Sequence, residues 1–377
     1  MNERESEEAV LYVVIGCDCD PDRPQYGGVR YDSRARLKWR GVCEGIPLVR
    51  RIVHALRDDF GNPAKITWCV RSDLQMQQIY GDCEWPYAEF AELWERLVEQ
   101  GDEIAWHPHL WRWGEQHGCW YQETEDKEWI RDCLCRGYEG LSRAIGRAPI
   151  TSRMGWEFHN DITMEQINDL GIKVDFSAVP GRFTPGHRDG WGSVFNCHVD
   201  WRNTPERPYV PSVSDYRREA EAQETALTVI ELPMSVFRSK LLSMGAYLRR
   251  AVRAKGRDRV RQLLTVRSGS DEALKAYITI HPHIFSRLAA TQISRAKESG
   301  RAFLVTAFHA DEMLGRTGRM RKLYNAGYIA TNLNYLRSVA HRHGVKLHFA
   351  APLEAASSRI AAGDGPFAEA TKCGEQL

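Results

Sequence analysis

The chain has no excess of charge of either sign. Its 377 residues hold 51 Lys and Arg against 50 Asp and Glu, a formal charge of +1, so bulk electrostatics gives no reason to expect nucleic acid or an anionic membrane as partner. No apolar run approaches the ~20 residues a membrane helix needs, and the acidic start, Met1 to Glu8, is followed by too short an apolar run for a secretory signal. These absences predict a soluble, cytoplasmic protein without stable membrane insertion. Zinc-ribbon cysteine pairs are missing too, because Cys17-x-Cys19 and Cys133-x-Cys135 lack the two-residue gap. The ten cysteines are scattered, mostly through apolar runs, which predicts reduced core thiols. No internal repeat and no linker of domain-splitting composition is present, and a chain of this length buries an ample core without staples. The expectation is one domain over residues 1–357, with loop or helical insertions at about 180–225 and 240–300 and a flexible tail at 358–377. The sequence fixes no oligomeric state.

What is present begins with Val10 to Asp20, an apolar β-type run that ends in Asp18-Cys19-Asp20. A strand alternates its faces, so the two carboxylates point the same way from the mouth of a sheet. Like charges so close call for a metal ion or an arginine beside them. Helical spacing over Gly45–Leu56 and a strand over Ala64–Val70 then make a βαβ unit. The pattern continues with a helix over Tyr87–Gln100, a strand Glu103–Trp106 running into His107-Pro-His109, a helix Trp129–Ile145, and a strand Ile150–Ser152 ending in Arg153. A helix Thr163–Leu170 leads to a strand Ile172–Phe176. Later strands are expected at Thr228–Leu232, Tyr277–Ile280, Phe303–Phe308 and Val345–Phe349, and helices at Leu241–Leu264, Phe285–Ser299 and Thr331–His341. Ligand-type residues at successive strand ends are the layout of a parallel α/β barrel or open sheet with chemistry on its carboxyl-end rim.

One carboxylate with two histidines is a common donor set for a catalytic divalent ion, and Asp20, His107 and His109 supply it. Asp18 then remains as a general base for water. Arg153 suits the task of holding Asp18 ionised, or else pins a loop. His309, at the end of a late strand, is placed to protonate a leaving group, with a hydrogen-bonded core histidine as the plainer alternative. Trp156, Trp191 and Trp201 lie in loops, which suits stacking on sugar-ring faces or capping of the barrel. The basic run from Arg249 to Arg267 reads as a solvated helix face or as a site for an anionic substrate or phosphate. A second His-Pro-His, at His281 and His283, has no assigned role.

Four motifs together resemble the polysaccharide deacetylase (NodB-homology) family: Cys-Asp18-Cys-Asp20, Gly101-Asp-Glu-Ile-Ala-Trp-His107, Ser-Arg153-Met-Gly155-Trp156 and Val305-Thr-Ala-Phe-His309. The resemblance spans about Val10 to Leu353. It implies a distorted (β/α) barrel of about seven parallel strands and metal-dependent hydrolysis of an acyl group, usually N-acetyl on a sugar or glycoconjugate, with zinc as the first choice of ion. It also implies Asp18 as base, Asp20 as metal ligand and His309 as acid. Two positions depart from the family pattern. The usual second metal histidine, four residues after the first, is Trp111 here, so His109, or more remotely His117, must replace it. The aspartates are separated by Cys19, as in deacetylases with an Asp-x-Asp pair. Two other functions compete: an Asp-x-Asp glycosyltransferase acting on a nucleotide sugar, and a non-catalytic carbohydrate-binding barrel.

Overall fold

Strand β1 (Val10–Cys19) has nearly every side chain buried, on both faces, which is why it reads as a continuous apolar run and not as an alternation. The computed structural model describes residues 8–22, 33–185, 198–238, 273–314 and 323–360. Along one edge β1 pairs in parallel with β13 (Arg301–His309), from Val10 opposite Arg301 to Asp18 opposite His309. The other edge is shared. β14 (Lys346–Phe349) pairs with Val10–Val13, and β2 (Thr67–Arg71) pairs with Gly16–Cys19. From β2 the sheet continues through β3 (Glu103–His107), β6 (Thr151–Ser152), β7 (Val174–Asp175) and β10 (Ile230–Glu231), all parallel. Seven strands form the path and β14 is an eighth beside β1, a distorted (β/α) barrel.

The barrel is completed on the free edge of β13 by irregular chain. Ser235 donates its backbone N–H to Val305 O, its hydroxyl donates to Phe303 O, and Val305 N–H donates back to the hydroxyl. Farther up, Ala307 N–H donates to Ala276 O and Ile278 N–H to Ala307 O. The expected strand Tyr277–Ile280 is therefore not a full strand. It makes single bridges, Tyr277 to Ala307 and Ile280 to Tyr324, because Ser235 already occupies the lower part of that edge.

Helices sit between the strands and bury one face each. Their ends follow local chemistry: Asp73 caps Leu74–Tyr80, Asp126 caps Lys127–Ile145, and Asn160 with Thr163 forms a reciprocal cap on Asp161–Asp169. The later helices are Pro282–Ser299, Tyr328–Arg342 and Pro352–Ile360. The last runs to Ile360; residues 361–377 lie outside the described set, as does the expected helix Leu241–Leu264. Three antiparallel ribbons stand apart from the sheet: β4 (Trp111–Gly114) with β5 (Cys119–Gln122), β8 (Phe183–Pro185) with β9 (His198–Asp200), and β11 (Val236–Arg238) with β12 (Ala273–Lys275). The eight described cysteines are unbridged, five of them buried. Among the described residues no helix is long and apolar enough to cross a membrane.

Candidate active site

Register determines which side chains meet. His309 lies opposite Asp18, Arg71 opposite His107, Trp106 opposite Ser152 and Ser152 opposite Asp175. Parallel strands with these pairings bring residues from six strand ends to one rim.

Asp20, His107 and His109 converge there. The two histidine Nε2 atoms are 3.1 Å apart, and they stand 3.8 Å (His107) and 3.5 Å (His109) from the Asp20 oxygens. Ligands about 2.0–2.2 Å from one ion are roughly 3.0–3.6 Å from each other, so two of the three spacings match one divalent ion and the third, His107 to Asp20, is slightly wider. Among the described residues this is the one group of three or more His, Cys, Asp or Glu side chains so arranged. Burial would raise the Asp20 carboxyl, but His109, His107 and Arg71 outweigh it and hold it well below the usual carboxylate range. Arg71, fully buried, donates to Asp20 at 3.1 Å while its other nitrogens hold Asp73 and Gln75. Asp73 in turn accepts the backbone N–H of His109. Gly155 completes the support, because a Cβ on it would stand 2.3 Å from the His109 ring.

The proton positions follow from the partners. His107 Nδ1 faces the Arg153 carbonyl at 2.5 Å and must donate to it, so Nε2 is the atom that can ligate; burial opposes protonation of the ring, but Asp18 and Asp20 raise its pKa above the ordinary value. His109 is different: Trp111 Nε1–H, which can only donate, lies 3.0 Å from its Nδ1. Burial and then Arg71 push His109 well below its ordinary range, so the ring is neutral and its one proton is on Nε2. That proton points at His107 Nε2. The two imidazoles thus suit an ion in donor type and spacing, and His109 must release its Nε2 proton to ligate.

Beside them Asp18 accepts from Arg153 Nε at 2.7 Å, and its other oxygen is 3.6 Å from His309 Nε2. Burial opposes its charge, yet the Arg153 guanidinium, with His107 and His309, keeps its carboxyl below the ordinary value. Arg153 is itself held by the Phe176 carbonyl at 2.7 Å and lies 3.7 Å from Glu157. His309 Nδ1 is 3.4 Å from Glu312, whose second oxygen accepts from Thr279. An ionised carboxylate, an imidazole with a second carboxylate 3.4 Å from its Nδ1 and a three-donor ion site form a set able to move protons to and from a polarised acyl group.

No family profile and no curated protein matches the sequence. A solved structure from Parabacteroides distasonis, assigned as a glycoside hydrolase or deacetylase, matches with a TM-score of 0.51 at 14% identity over 92% of this chain and 70% of its own. The fold is that of the deacetylase barrels. A Mycobacterium smegmatis structure assigned as a polysaccharide deacetylase matches at 16% identity over 96% of this chain and 92% of its own, with a TM-score of 0.45.

Within this deacetylase-type fold, six of the nine residues singled out from sequence stand together: Asp18, Asp20, His107, His109, Arg153 and His309. Trp156 is partly exposed beside them, in a left-handed conformation (φ 61°) that continues into Glu157 (φ 53°). Trp201 corrects the stacking expectation. It is 1% exposed, its N–H donates to the Glu157 carbonyl, and the edges of His159 and Tyr216 pack against it, so it offers no face to a sugar. Trp191 lies outside the described residues. His117 is exposed in the turn between β4 and β5, away from the three donors. The second His-Pro-His is also exposed; His281 Nδ1 accepts the N–H of His283 and caps Pro282–Ser299. Sequence reading missed Arg71, Asp73, Glu157 and Glu312. Only Glu312, three residues after His309 on the following helical turn, carried a local signal.

Proposed function

We propose that the protein is a metal-dependent hydrolase of the polysaccharide deacetylase type, removing an acyl group, most simply N-acetyl, from a sugar or glycoconjugate. One observation carries this: an Asp/His/His donor set faces the same rim as an arginine-held aspartate and a histidine 3.6 Å from that aspartate. Asp20, His107 and His109 would hold a divalent ion, zinc first among them by donor type, and when bound it supplies Lewis acidity. Asp18, kept ionised by Arg153, takes the proton of the attacking water. His309, with Glu312 3.4 Å from its Nδ1, delivers a proton to the departing nitrogen or oxygen. Trp156 flanks the acceptor sugar. The chain closes as an amide or ester hydrolysis, releasing the acid and the unblocked sugar.

A second reading, a carbohydrate-binding barrel without turnover, is favoured by the donor chain from Trp111 through His109 and His107 to the Arg153 carbonyl, which is complete without an ion. Metal analysis of the purified chain, paired with acetate release from N- and O-acetylated sugars, decides between them. One equivalent of ion and acetate release abolished by chelation are expected. Absence of both, with sugar binding retained, supports the barrel without turnover; consumption of a nucleotide sugar without acetate would indicate a glycosyltransferase and overturn the proposal.

A further inference from the structure

Arg71 is a buried cation in contact with one of the three ion donors. It ends β2, and its Nη1 donates to Asp20 Oδ1 at 3.1 Å. The rest of its fork is anchored elsewhere. Nε donates to Asp73 Oδ2 at 2.7 Å, and Nη2 donates to Gln75 Oε1 at 2.9 Å. Asp73 is in turn tied to backbone on two sides, since Oδ1 accepts Met76 N–H at 3.0 Å and Oδ2 accepts His109 N–H at 3.1 Å. Arg71, Asp73 and Gln75 are all fully buried. The guanidinium is therefore fixed by groups other than Asp20.

The two Asp20 oxygens are consequently unlike. Oδ1 accepts from Arg71 and lies 3.5 Å from His109 Nε2, whereas Oδ2 lies 3.8 Å from His107 Nε2. A carboxylate that binds an ion through both oxygens has to bring both close to it. Here one oxygen is held by a rigid, permanently charged donor, and an ion shared between the two would be drawn toward that positive charge. One-oxygen ligation avoids both costs.

We infer that Arg71 is a positioning residue that restricts Asp20 to ligation through one oxygen, so that the Asp20, His107 and His109 site selects ions content with few ligands, zinc or cobalt, over manganese. This rests on the ion-binding reading of the site. Manganese is served best by a larger set of oxygen donors, and a second Asp20 oxygen would move the site in that direction. Arg71 thus sets which ion the donors take without ligating it.

Infrared difference spectra of the full chain, zinc-loaded minus zinc-free, read the ligation mode in the wild type. A one-oxygen carboxylate separates its two C–O stretches more widely than the free group, and a two-oxygen one less widely. Wide separation is expected, and narrow separation overturns the inference even if no Arg71 variant folds. In Arg71→Gln, which shortens the donor and removes its charge, the preference for zinc over manganese should fall about tenfold, within the range that outer partners exert. Competition with a chelating dye measures it. The visible bands of the cobalt-loaded variant should weaken as the ligand number rises. Arg71→Lys, which keeps a cationic donor, should retain the wild-type preference and bands. A purely structural role for Arg71 predicts equal loss of affinity for zinc and manganese, with unchanged bands, and that result overturns the inference alone. No uptake of zinc, cobalt or manganese by the wild type overturns the ion-binding reading together with it.

Discussion

At the scale of single residues, Asp18 shows how a buried carboxylate is kept useful. Burial alone would favour its neutral form, and Arg153 reverses that. Asp18→Asn is expected to retain the ion and lose turnover by about 10²–10⁴-fold, the span of a general base; steady-state acetate release with parallel metal analysis checks both halves, and near-normal turnover would remove Asp18 from that role. Trp111 makes a second prediction. Histidine ligands ordinarily donate their outer N–H to an acceptor, whereas here Trp111 donates inward to His109. Trp111→Phe removes the opposing donor and should tighten zinc binding by about tenfold, within the range that outer partners exert. Competition with a chelating dye measures this, and weaker binding would mean that Trp111 supports the ligand geometry instead.

At the scale of elements, the short strands β6 and β7 are two residues each, and side chains at their ends reinforce them. Asp175 accepts from Ser152 at 2.5 Å and from Ser177 N–H at 2.9 Å, and stands 3.3 Å from His159. Burial opposes its charge, but His159, Ser152 and Ser177 bring its carboxyl below the ordinary value of 3.8. A depressed carboxyl contributes stability that is fully present above the unfolded value and lost as pH falls through the folded one. Asp175→Asn should therefore cost about 1.5–3 kcal/mol at pH 7 and show a smaller difference from wild type below about pH 4, by urea unfolding across pH; a constant difference would count against the linkage. Long elements such as β1, β13 and Lys127–Ile145 were legible because apolar spacing persists over many residues. Leu74–Tyr80 was not, since Leu-Gln-Met-Gln-Gln-Ile-Tyr has no clean apolar stripe and only its Asp73 cap marks it. The ribbon β4–β5 went unread too, because its strands are only four residues each. The proposed ligand and acid-base residues could be read from strand ends, but the contacts of Arg71 with Asp20 and of Glu157 with Arg182 and Lys275 join remote parts of the chain, which no local pattern states.

At the scale of the whole molecule, the barrel depends on a seam that is not a strand. Ser235 supplies two side-chain hydrogen bonds to β13, to Phe303 and from Val305. Ser235→Ala leaves those buried backbone groups unsatisfied and should destabilise by about 1–3 kcal/mol, measured by urea unfolding; a shift below a few tenths would show that other contacts close the seam. The rim above it contains the left-handed pair at Trp156 and Glu157, which no short peptide of this sequence would maintain unaided. The order of events during refolding follows. Early collapse can bury Trp68, Trp94 and Trp106, whereas the loop that seats His109 on Gly155 is fixed only when Asp73, Pro108 and Gly155 meet across three strand ends. In a stopped-flow experiment, capture of zinc should lag behind the tryptophan fluorescence change, so newly made chains would acquire their chemistry last.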